Sequence, residues 1–450
     1  MIGIPVAFGE ASHHARDRSR WPVVTSPRPL RAPGPGAVEP SGRAPGELPG
    51  LTGLRIVAAA WVVVFHAHFT PLPAVAAAVA AFGPLVTGGA LGVDLFFVLS
   101  GFVIAHTSLD RLGPALRPGP TARFLWARVC RLWPAYVVVL HLFGLWLAAR
   151  LYLGVDEEIA FQAAQPVLSG GEYLAQLLLV QLWTDPFFDG TSWVGPTWSI
   201  SAEWLAYLLF PVAALGFHRI RRWPAPVLAL AAVAALAPLA WTYLSTGSPY
   251  YPWSWLVRIL CGFGSGVLAY LTVRRLGALG PVVSSSRRRV AAVAATVLPV
   301  LIVTGLLAGE WLGPGRGGAV IVLFPVLVGA LAVADRGPAR LLSTRAAVSG
   351  GRLSYGLYLV HIPLLEVYWL ALRRFDALAH PTVALLVGAA VLAASVPVAA
   401  LLYRLVEEPA RRALRLPAPD RAGALPRPVA AVVPAPRGGP AAGPARAVAL

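Results

Sequence analysis

The chain has 450 residues, of which 57% are apolar and only 13% charged. That is about half the charged fraction of a soluble globular domain, which excludes a row of water-soluble domains because too few polar side chains remain to cover them. The 37 cationic residues are all arginine and leave a net charge of +17 against 20 acids. They fall in short clusters between apolar runs and not along one amphipathic face. This excludes a nucleic-acid footprint and matches the loops of an integral membrane protein.

In chain order, residues 1–50 are rich in proline and arginine and lack an apolar run long enough for a signal segment, so they read as a disordered cytoplasmic arm. The body covers 51–415. Within it, runs long enough to cross a hydrocarbon layer of about 30 Å occur at 52–69, 89–108, 132–153, 197–217, 224–243, 255–273, 289–308, 318–334, 353–372 and 382–405. Residues 416–450, another proline-rich segment without periodicity, read as a disordered tail. The fold class expected is therefore all-α, a polytopic membrane protein with about ten transmembrane helices.

Charge orients these spans. If the first begins in the cytoplasm, the interior loops collect the clusters Arg111–Arg131, Arg219–Arg222, Arg274–Arg289 and Arg336–Arg352, whereas the exterior loops receive Arg150, Arg316, Arg373 and Arg374. The asymmetry predicts both termini inside and a multi-pass protein of the cell membrane, the bacterial plasma membrane by expectation. Residues 172–183 are apolar but too short to span. They are expected to form a re-entrant or interfacial helix within a long exterior loop, 154–196, whose length favours a functional role. Cys130 and Cys261 show neither metal-ligand nor redox spacing and read as small buried hydrophobes; no metal is expected.

An ionisable residue at the centre of a span costs at least about 2.5–3.5 kcal/mol and so needs a partner or a wet cavity. The first span holds two, Arg55 and His66. Eleven residues at about 100° each return to the same helical face, roughly 16 Å further along the axis. Arg55 then lies near the cytoplasmic interface, either as an interface anchor or as a functional cation, and His66 near mid-membrane. His66 is either a hydrogen-bonded core histidine or a base. Asp94 enters the second span early and can meet His66, unless it merely satisfies a helix N-terminus. Ser100 and Gly101 read as helix packing. Arg128 and Arg131, three apart, share a helical face ahead of the third span. They suit phosphate oxygens, although positive-inside topology alone also accounts for them. Glu203 lies inside the fourth span and is expected to point into the His66 cavity, while Trp198 reads as an interfacial belt residue. His361 and Glu366 fall in the ninth span, and Glu407 with Arg411 suggests a structural lock at the end of the tenth.

The ordered blocks LTGLRIVAAAWVVVFHAHF, GVDLFFVLSGFVI, RFLWARVCRLWPAY, TWSISAEWLAYLLFP, SYGLYLVHIP and VEEPARRAL resemble those of the membrane acyltransferase-3 family, multi-span enzymes that O-acylate sugars of cell-surface polymers, antibiotics and glycans. The resemblance covers 51–415. It implies an acyl-coenzyme A donor, expected to be acetyl-coenzyme A, entering from the cytoplasm, with no tightly bound cofactor, and a hydroxyl acceptor on a glycan or glycosylated small molecule. By position it makes His66 the essential histidine, Arg55 the first-span arginine, and Arg128 and Arg131 the paired arginines. Thr52 departs from the family's usual aspartate, so any partner that acid gives Arg55 must come from elsewhere.

The expected reaction is O-acyl transfer with His66 as general base, Asp94 or Glu203 orienting its ring, and Arg55, Arg128 and Arg131 holding the coenzyme A phosphates. The alternative is a secondary transporter or flippase, in which His66, Glu203 and His361 form a proton relay. Against it, the halves of the chain show no internal repeat.

Overall fold

The structure is a computed structural model that describes residues 46–153, 162, 165–279, 283–414 and 416. The expected arm lies outside these residues except for its last five, and the expected tail except for residue 416. The body starts slightly earlier than composition suggests. The first helix begins at Pro49, and Glu47 pairs with Arg352 of the ninth span at 2.9 Å.

Among the described residues there are ten helical segments apolar and long enough to cross a membrane, and no strands. They are Pro49–Ala67, Pro84–Leu112, Pro118–Tyr152, Gly195–Ile220, Ala225–Thr246, Ser254–Arg275, Ser285–Leu312, Arg316–Val333, Arg345–Arg374 and Pro381–Ala413. This is a polytopic all-α membrane protein. All helical hydrogen bonds are made within a span, the condition for crossing a layer that offers none. Large apolar side chains such as Leu145, Leu230, Val300 and Leu386 are exposed on the outside of the bundle, as a lipid-facing surface requires.

Five spans differ from the sequence reading, two of them in extent alone: the ninth begins at Arg345 and the tenth runs on to Ala413. The third runs unbroken through the arginine block for 35 residues, about 50 Å, so Arg123, Arg128 and Arg131 stand on a helix and not in a loop. The fifth is broken between Ala234 and Ala237, and the eighth opens as a 3₁₀ helix, Arg316–Leu323, before Phe324–Val333. Pro73–Phe82 adds a short apolar helix between the first two spans.

The centre of the bundle is the second span. Of its apolar window 78% is buried, against 17% for the tenth and 22% for the seventh, which lie at the periphery. Small residues allow that burial. A side chain at Gly101 would strike the Phe263 backbone, and one at Gly266 the Val98 backbone, so the second and sixth spans touch main chain to main chain. Gly351 meets Thr52 in the same way, joining the ninth span to the first.

Residues 172–183 do not span. A nine-residue helix, Gly170–Leu178, is capped by Ser169 and stopped by Leu179 in the left-handed region. Tyr136, Trp133 and Ser201 donate to the carbonyls of Gln176, Leu177 and Leu179 at 2.8, 2.9 and 2.8 Å, which fastens the segment to the third and fourth spans.

Candidate active site

His66 is buried on the first span and faces the ninth. Its Nδ1 lies 3.0 Å from the Val62 carbonyl and 3.1 Å from Nε2 of His361, whose own Nδ1 lies 3.2 Å from the Leu357 carbonyl. A carbonyl oxygen only accepts, so each neutral ring carries its proton on Nδ1. The His361 Nε2 lone pair then also faces His66 Nδ1–H, and His66 keeps its own lone pair on Nε2. His66 lines a cavity of about 350 Å³ together with Phe69, Gln162, Phe188, Asp189, Trp198, Arg258 and Tyr358. Several of these come from the long loop that precedes the fourth span.

The ring orientation expected from Asp94 or Glu203 is supplied otherwise. Asp94 is buried, and both its oxygens bind Arg258 of the sixth span, at 2.9 and 3.0 Å. Glu203 accepts from Ser100 and from Tyr207, both at 2.5 Å. The Val62 carbonyl and His361 contact His66 in their place. Adjacent turns of one helix and a facing helix reach the ring before either carboxylate does.

Glu203 instead joins the arginines. Arg55 and Glu203 line a second, smaller cavity of about 50 Å³ with Ser199, Ser354, Tyr355 and Tyr358. Arg55 donates to Ser354 at 3.2 Å and lies over the Phe96 ring at 5.4 Å. Arg128 stands over Phe124 and Tyr207 at 5.7 and 5.9 Å, with Nε buried and without a hydrogen-bond partner. Arg131 lies over Tyr355 at 5.1 Å and is in ion-pair contact with the buried Glu407; Arg55 and Arg411 are within its electrostatic reach. A π-helical turn at Tyr403–Glu407 aims Glu407 inward. Glu407 is thus more than a lock with Arg411, which lies 3.7 Å away and binds Glu408 at 2.7 Å. Thr52, at the position of the family's usual acid, donates to Glu47 at 3.2 Å, and the acid near Arg55 is Glu203.

All three predicted arginines and Glu203 therefore share one cluster, while His66 lies in the neighbouring cavity. The two cavities adjoin, since Val93 and Tyr358 line both. The Tyr358 hydroxyl is held by the Pro196 carbonyl at 2.9 Å and Ser199 at 2.7 Å. Trp198 is not a lipid-interface belt residue: it is buried, stacked on Phe188 at 4.6 Å. The sequence reading overlooks Arg258 and Tyr358. The first carries a visible signal, an arginine four residues into an apolar span; the second has none, because tyrosines are common there. No group of three or more histidine, cysteine or acidic residues among the described residues is placed to hold a metal.

Comparison with known proteins finds relatives along most of the chain. The acyltransferase MdmB of Streptomyces mycarofaciens is 29% identical over 397 residues, covering 82% of this chain and 92% of the relative. The peptidoglycan O-acetyltransferase OatA of Listeria monocytogenes is 24% identical over 346 residues, 71% of this chain and 50% of that protein. Protein 2 in the picA locus of Rhizobium radiobacter is 31% identical over 196 residues, 42% of this chain and 93% of its own length. No solved structure matches significantly. The family model described as an acyltransferase domain matches residues 48–404, and the chain belongs to that family, the acyltransferase-3 membrane enzymes.

Proposed function

We propose that this acyltransferase moves an acyl group, acetyl by preference, from acyl-coenzyme A to a hydroxyl of a sugar-containing acceptor. The observation that carries the reading is the adjoining pair of cavities: one is walled by His66, the other by Arg55 and Glu203 beside Arg128 and Arg131. Arginine forks match phosphate oxygens in charge and geometry. Held there, the nucleotide end of coenzyme A lies in the arginine cluster while its extended thioester arm passes Tyr358 toward His66. The arginine-rich loops favour a cytoplasmic side for this cluster, with both termini cytoplasmic, which is where acyl-coenzyme A is found.

The chemistry follows from the tautomer. His66 Nε2 takes the proton of the acceptor hydroxyl as its oxygen attacks the thioester carbonyl, forming a new C–O bond. Collapse of the tetrahedral centre breaks the C–S bond, and the proton passes from His66 to the leaving thiolate. While His66 holds the extra proton, its Nδ1–H still faces the Val62 carbonyl and the His361 lone pair. Arg55 stands at the end of the donor cavity and balances charge there together with Glu203. The glycan acceptor is supported by OatA, named for peptidoglycan O-acetylation.

In membranes given acetyl-coenzyme A and acceptor, His66→Ala should abolish transfer at normal expression; full activity would overturn the assignment. Saturable binding of coenzyme A to the purified protein, competed by acetyl-coenzyme A, tests the donor. An acyltransferase family favours the enzyme over a transporter, and Glu203, held by Ser100 and Tyr207, is committed away from a His66–His361 relay.

A further inference from the structure

Arg258 lies in the sixth span with its side chain 1% exposed, and Asp94 holds it bidentately through Nε and Nη2. Nη2 also reaches the Ala90 carbonyl at 3.4 Å. The remaining nitrogen, Nη1, is buried and meets no acceptor at ideal geometry; the Tyr250 hydroxyl is close enough for a weak hydrogen bond with the guanidinium, and that of Tyr243 is within electrostatic reach. A buried donor whose protein acceptor is poorly aligned is under-satisfied, and an arginine retained in that state can give the bond to a better-placed ligand oxygen. Arg258 lines the His66 cavity.

Two features define what such a ligand is. The first is charge. Bound to Asp94, the guanidinium belongs to a neutral pair, so an anionic group gains little there while an uncharged oxygen gains a strong donor. The second is the wall. The guanidinium lies 5.0 Å from the Trp198 ring and 5.6 Å from Tyr250. Trp198 stacks on Phe188, and Tyr250 lies 5.3 Å from Phe188. Aromatic faces beside one donor suit a sugar ring, which presents C–H faces and oxygen edges.

Resting on the acyl-transfer reading above, we propose that Arg258 binds the acceptor: Nη1 donates to an uncharged oxygen, a hydroxyl or ring ether of a neutral sugar, whose ring lies against Phe188, Trp198 and Tyr250 with its reacting hydroxyl toward His66. Asp94 is then a positioning residue, which fixes Arg258 and cancels its charge.

The test uses the full chain in vesicles with acetyl-coenzyme A as donor and methyl glucoside, chitotriose and methyl glucuronide as acceptors. Arg258→Gln should raise the KM for the neutral acceptors at least tenfold, with the donor KM within twofold of wild type. Asp94→Asn leaves the cation unbalanced, so the glucuronide should gain on the glucoside by at least fivefold in relative KM. If either single variant fails to fold, the double variant Asp94→Asn with Arg258→Gln, which removes both buried charges together, is read for the acceptor KM in its place. An unchanged acceptor KM, a donor KM that rises instead, or an unaltered glucuronide preference overturns the proposal. If the wild type transfers to none of the three sugars, the sugar-acceptor reading of the enzyme fails first, and this inference with it.

Discussion

His66 has its lone pair on Nε2 because two carbonyls, one turn back on each of two facing helices, claim the Nδ1 protons of His66 and His361. The pairing predicts a graded outcome. His361→Phe removes the acceptor that steadies the His66 ring, so kcat should fall about 10- to 100-fold, less than the roughly 10²–10⁴-fold that a general base contributes. The donor KM should stay near wild type; steady-state kinetics in membranes decides, and an unchanged kcat would reduce His361 to packing. Arg128 is the complementary case. It rests on ring faces with Nε unpartnered, so Arg128→Ala should chiefly raise the acyl-coenzyme A KM, about tenfold for one lost charge-assisted contact. An unchanged value would return the residue to a topological role. At this scale the sequence points to His66 and the arginines, because an ionisable residue inside an apolar run is conspicuous. It cannot name partners, since His66 and His361 are 295 positions apart.

The spans owe their close approach to glycine. Gly101 and Gly266 let the second and sixth spans meet along their backbones, and the Asp94–Arg258 ion pair crosses the same seam. Gly101→Val should therefore cost about 1–3 kcal/mol or more in overpacking and shift that pair. The expected result is loss of monodisperse protein on size exclusion and a lowered melting temperature. Gly264→Ala, on the same helix but facing open space, should leave both unchanged and serves as the control. Hydropathy finds every span and most of its ends within about five residues, because the bilayer demands an apolar length that no tertiary contact can replace; the polar extensions of the third, ninth and tenth helices escape it. It does not foresee the unbroken 35-residue third helix or the break at Ala234, which depend on what surrounds the helix ends.

Across the whole molecule, charge and topology make one prediction. With Cys130 and Cys261 replaced by alanine, Ala379→Cys, between the last two spans, should react with a membrane-impermeant maleimide in intact cells. Arg275→Cys, after the sixth span, should react only after lysis. Both positions are exposed, so the opposite pattern would invert the topology and put the arginine cluster on the wrong side for a cytoplasmic donor.

Composition and apolar periodicity alone fix a ten-span membrane protein, and six ordered blocks mark its family, because burying backbone in lipid constrains every residue of a span and leaves a signal at each position. Which charges meet is settled only in three dimensions. Asp94 belongs to Arg258 and not to His66, Glu203 to the arginine cluster, and Glu407 to Arg131. Each pairing joins helices far apart in sequence, and the outcome depends on which helix faces pack together; a small residue such as Gly101 marks a seam in the sequence but does not name the backbone it meets.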